Sequence, residues 1–124
     1  MRYRLRVESA SNPADGRFLH VLQGLDPGSS PDGVTLIESS SGTPFAGAAV
    51  NQAVVLFPVS LGATFSGLSY TAPTDASRHL ITGLAPGGAY DVAIEGGDGG
   101  TRVTVRLGGP YSADGGGVLM VKRT

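Results

Sequence analysis

HLITGLAPGGAYDVAIEGGDGGTRVTVRLGGPYSADGGGVLMVK, residues His79 to Lys122, decides the fold. It sets His79-Leu80-Ile81, Tyr90 to Glu95, Arg102 to Arg106 and Val118 to Lys122 between glycine-dense turns. Short, β-branched segments spaced this regularly by turn residues are the pattern of an all-β sandwich. Glu95 to Gly100 places Asp98-Gly99 where a tight hairpin turn belongs.

The rhythm continues toward the N-terminus. Ala46 to Val50 and Ala53 to Phe57 read as strands, and Phe65 to Thr71 alternates well enough for another. Pro58, with no N–H to give a ladder, should close its strand or lie at an edge. Val34 to Glu38 is a strand between the loop Asp26 to Gly33 and a turn over Ser39 to Pro44. Arg17 to Gln23 is apolar almost throughout, as a central strand would be, and Tyr3, Leu5 and Val7 alternate with Arg2, Arg4 and Arg6 in a half-buried one. No long window keeps a 3.6-residue apolar period with a cap, so helix amounts to a turn or two at most. The expectation is a single domain over 1–124: an antiparallel two-sheet β-sandwich, Greek-key or jelly-roll-like, of about 8–10 short strands.

Composition removes several functions. Nine Lys and Arg against ten Asp and Glu give a net charge of -1, without the clustered basic footprint that nucleic acid requires. With no cysteine there are no disulfides and no thiolate chemistry. The N-terminus alternates charged and apolar residues and is not a basic start followed by the apolar run of about 7–15 residues found in a leader. No apolar stretch approaches the roughly 20 residues of a membrane-spanning helix.

Gly83-Leu84-Ala85-Pro86-Gly87-Gly88-Ala89-Tyr90 has the order of a tyrosine corner, with Leu84, Pro86 and Gly87 shaping the turn and the Tyr90 hydroxyl bonding back to the chain upstream. The wider pattern resembles the C-terminal β-sandwich region of bacterial polysaccharide lyases of the heparinase II/III type and related secreted modular proteins. The resemblance is carried by Arg17 to Gln23, Ala53 to Phe57, Arg78 to Tyr90 and the closing Gly115 to Leu119, from about Tyr3 to Val121. It implies an accessory domain with polysaccharide and a flanking catalytic domain as partners, in an extracellular or periplasmic setting. The lyase chemistry belongs to a helical toroid and a preceding sheet domain, so no catalytic residue carries over. The missing leader fits a domain cut from a longer chain.

Sugar-binding sandwiches stack sugar rings on exposed aromatics. Lacking Trp, this chain offers Tyr70 and Tyr111 as platforms and Arg78 and Arg102 as polar partners. His20 and His79 sit at echoing positions, HVLQGLDPG and HLITGLAPG, and a small metal-binding jelly-roll enzyme would need both to converge with a third ligand. Asp15, Asp26, Asp32, Asp75, Asp98 and Asp114 all neighbour turn or small residues, no strand-borne acidic pair stands out except the isolated Glu38 and Glu95, and no Gly-x-Ser-x-Gly elbow is present. The reading is a non-catalytic module without cofactor. The second reading is a structural protein assembling into an oligomer or filament, given the low charge and the single lysine, Lys122, available to block an edge.

Overall fold

The Asp98-Gly99 turn closes the hairpin its sequence asks for, with Gly97 opposite Gly100. The computed structural model describes residues 4, 6–11, 13–14 and 16–123. Among them there is no helix and there are nine strands: β1 Val34–Gly42, β2 Phe45–Val50, β3 Ala53–Pro58, β4 Leu68–Ala72, β5 Arg78–Ile81, β6 Ala89–Gly97, β7 Gly100–Leu107, β8 Tyr111–Ser112 and β9 Leu119–Lys122. They form one continuous order, β8-β6-β7-β4-β1-β2-β3-β5-β9, curled nearly into a barrel around a single core.

β1 holds the two halves together. Val34 to Glu38 pair with β2, whereas Ser39 to Gly42 pair with β4 after a register shift between Ser39 and Ser41. The turn expected over Ser39 to Pro44 is therefore mostly strand, because the serine-rich run is absorbed as an irregularity that re-aims the chain. The sheet is mixed, not purely antiparallel, since β3 and β5 run parallel. β4 begins at Leu68, later than the Phe65 expected for it.

Alternation decides what is buried. Ile37, Val54, Leu56, His79, Ile81, Leu119 and Val121 point inward from one half, and Leu68, Tyr70, Tyr90, Val103 and Val105 from the other. Residues 113–118 join the two edge strands, and Leu84 N–H donates to Gly117 O across that closure at 3.0 Å. Arg123, just past β9, ties the same edge across the core, with its guanidinium 3.2 Å from Thr101 Oγ1 on β7.

Arg17 to Gln23 is not a strand, which corrects the sequence reading. It joins no ladder and leaves Leu22 80% exposed, and the Gln23 side chain alone bridges the Asp32 backbone, at 3.0 and 2.9 Å. An apolar run forms a strand only where a neighbour offers free backbone groups. The strand expected around Tyr3 to Val7 lies largely outside the described residues.

The β2–β3 hairpin turns on Asn51 and Gln52 at φ 47° and 64°, the left-handed pair a type I′ turn demands. Asn tolerates that region, but Gln is strained there. Gln52→Gly should therefore stabilise the fold by about 0.5–1 kcal/mol, after the greater freedom glycine gives the unfolded chain is allowed for. Urea denaturation measures it, and a loss of stability would mean that the turn is not left-handed at both positions.

Candidate functional site

The strand residues that alternate with the core in β1, β2, β3, β5 and β9 form the outer face of that half. Across its middle the paired residues are Leu36, Ala48, Val55, Leu80 and Met120, in an unbroken apolar row over five strands. A second row runs Val34, Val50, Ala53, Arg78, Lys122, and a third begins Glu38, Ala46, Phe57. Leu36 is 63% exposed, Met120 55% and Phe57 45%, so the margins of the face meet solvent, while Val55 and Leu80 are half-buried and the small Ala48 at its middle is buried among its neighbours.

The opposite half shows what a solvent face of this protein looks like. On β6 and β7, Asp91 lies across from Arg106 and Glu95 across from Arg102, and exposed Thr71 continues the polar surface onto β4, where Ser69 is buried with its hydroxyl 3.0 Å from Thr104 Oγ1. Acid facing base and hydroxyl facing hydroxyl is ordinary outward chemistry for a sheet. The face of β1, β2, β3, β5 and β9 is more apolar than this, with charge only at Glu38, Arg78 and Lys122.

A cleft of about 860 Å3 lies at the Glu38 end of this face, between Phe18, Leu19 and His20 on one side and Leu36, Ala46 and Phe57 on the other. Phe18 and His20 stack with ring centres 6.1 Å apart. Residues 17–20 thus add apolar surface at one corner and leave the Leu80–Met120 side open.

The residues proposed for sugar do not assemble. Tyr70 is fully buried, so its ring cannot serve as a platform, which corrects that expectation. Tyr111 is 40% exposed but lies on β8, while Arg102 is near the far end of β7 and Arg78 is on β5 in the other half. The two histidines have separate surroundings. His79 is buried with Nδ1 sharing a 2.9 Å hydrogen bond with the Tyr70 hydroxyl, whereas His20 is exposed at the cleft. Among the described residues no three His, Cys, Asp or Glu come together as metal ligands.

Burial, and then the charge of Arg123, hold His79 below the ordinary imidazole value. The pair is thus a neutral, desolvated contact inside the core. His79 Nε2 has no hydrogen-bond partner among the described residues.

At the corner the Tyr90 hydroxyl accepts from Ala85 N–H at 3.1 Å, and its ring meets Phe65 edge-on at 5.5 Å. Leu84 is buried, and Gly87 N–H donates to Asp114 O at 3.1 Å. Asp114 in turn accepts from Gly116 and Val118 N–H at 2.8 and 2.9 Å, so this carboxylate organises the loop that closes the sheet. Tyr90→Phe should cost about 1–2 kcal/mol, the price of an orphaned amide. Thermal unfolding that is unchanged would show that water takes over the bond.

The apolar row was missed by the sequence reading, although a signal was present: Ala46 to Val50 and Ala53 to Phe57 are apolar at both parities, as a strand covered on both faces is. No family model, curated protein or solved structure matches this chain.

Proposed function

We propose that the chain is a non-catalytic accessory module that works by packing the outer face of β1, β2, β3, β5 and β9 against another folded unit. The observation that carries this is the Leu36-Ala48-Val55-Leu80-Met120 row, set against the charged outer face of the other half. The two halves, related through the switching strand β1, correspond on this reading to the two sheets of a β-sandwich. The resemblance to lyase C-terminal regions supports a place within a secreted, polysaccharide-handling protein. Direct sugar binding has less support, because Tyr70 is buried and Tyr111, Arg78 and Arg102 are dispersed.

The test asks whether the fold needs this face. Leu36→Lys combined with Met120→Lys should unfold within a few tenths to about 1 kcal/mol of the unaltered chain, as exposed substitutions do. An unfolded double variant would make the face part of the chain's own core and overturn the reading. So would cleavage of a uronate-containing polymer by the purified chain.

A further inference from the structure

We infer that the occupant of this face is a second copy of the same chain, packed face to face about a two-fold axis; this rests on reading the face as a docking surface. The argument starts from where its charges lie. Glu38 ends the third row on β1, at one corner, and Arg78 and Lys122 end the second row on β5 and β9, at the diagonally opposite corner. All three are exposed. Among the described residues the only ion pair is Arg6 with Glu8, and Glu38 has no salt-bridge partner among them, although Arg17 shares its cleft.

A two-fold axis lying in the interface, at right angles to that diagonal, sets Glu38 of each copy over Arg78 and Lys122 of the other. The charge contact is then made twice, and the apolar rows between are buried against their own kind. A surface whose acid and bases occupy opposite corners of one hydrocarbon field is complementary to itself, which is what an isologous contact requires. The net charge of -1 adds little repulsion between copies.

Size sets the strength. Five strands at a spacing of about 4.8 Å and three rows about 7 Å apart give a footprint of roughly 24 by 20 Å, or about 480 Å2. That is below the roughly 800 Å2 per partner of a standard interface, which places the contact among weak, transient ones, with an expected dissociation constant on the order of 10–100 μM.

Light scattering on the full chain from about 1 to about 300 μM spans the range such an interface predicts. The expected result is a monomer–dimer equilibrium that Leu80→Lys abolishes. Glu38→Lys alone, and Arg78→Glu with Lys122→Glu alone, should each weaken it tenfold or more. An equimolar mixture of those two variants should form a heterodimer, since both of its charge contacts are then complementary, and circular dichroism on each variant confirms that it is folded.

A folded chain that stays monomeric throughout overturns the self-association, as does mass growing past a dimer, because a two-fold contact closes on itself. Folded variants that do not associate on mixing overturn the corner pairing. Monomeric behaviour together with an intact Leu36→Lys/Met120→Lys fold would leave the docking face standing with a different partner, so the two readings fail separately.

Discussion

Gly47→Ala should destabilise the protein by more than about 3 kcal/mol, at the upper end of overpacking effects. Gly47 lies in the middle of β2, opposite Ile37 on one side and Leu56 on the other. A Cβ there would fall within the Val55 carbonyl oxygen, with the Val55 carbon 2.8 Å and the Leu56 Cα 2.9 Å away. These are backbone atoms in a paired strand and cannot swing aside like a flexible side chain. Relief requires β2 to withdraw from β3, which opens the ladder that carries both the core residue Leu56 and the outer pair Ala48–Val55. Thermal unfolding should fall by about 10 °C or more for a chain of this size. Gly62→Ala, with nothing within 4 Å, is the control and should change little. Equal behaviour of the two variants would mean that β2 and β3 are not spaced as described.

The second large effect concerns Tyr70 and His79. Tyr70→Phe removes the only hydrogen bond that the His79 side chain makes among the described residues, leaving both ring nitrogens buried without partners there. The expected cost is about 2–3 kcal/mol, mostly the desolvation of an unsatisfied polar group. Tyr70→Phe with His79→Leu removes both partners and should recover much of that loss. A double variant as unstable as the sum of the two singles would contradict a pairwise origin.

The same pair makes stability depend on pH. His79 has its folded value lowered, so the native state resists a proton that the unfolded chain accepts below about 6.5. Stability is therefore whole above that pH and is lost as pH falls from there toward the folded value, by up to about 1.4 kcal/mol per unit. Urea midpoints measured on both sides of about pH 6.5 should show the slope, and it should flatten in the variant without His79. The same slope in that variant would assign it to other groups.

Turn chemistry made most of the fold legible. Pro58 ends its strand for want of an N–H, Gly83 and Gly87 supply the left-handed positions of the corner, Asp98-Gly99 marks a hairpin, and β3, β6 and β7 follow from them within a few residues. What stayed hidden depends on neighbours. Nothing in Ser39 to Gly42 announces that its pairing passes from β2 to β4, because an irregular register is fixed by the strand on the far side. Arg17 to Gln23 has a strand's composition, but composition cannot supply a ladder. Tyr70 is expected as a surface platform only as one of the aromatics left over once the core is supplied, yet its parity in β4 is that of the buried Leu68 and Ala72. The outer face was visible only as missing alternation in β2 and β3, and its extent depends on β5 and β9, which are far away in sequence.

Because β1 donates hydrogen bonds to both halves of the sheet, neither half is a separable folding unit. Amides of β2 and of β4 should exchange with deuterium at a common limiting rate set by global opening, and the slowest should follow the denaturant dependence of the whole chain. A chain wired through one strand in this way unfolds in a single step.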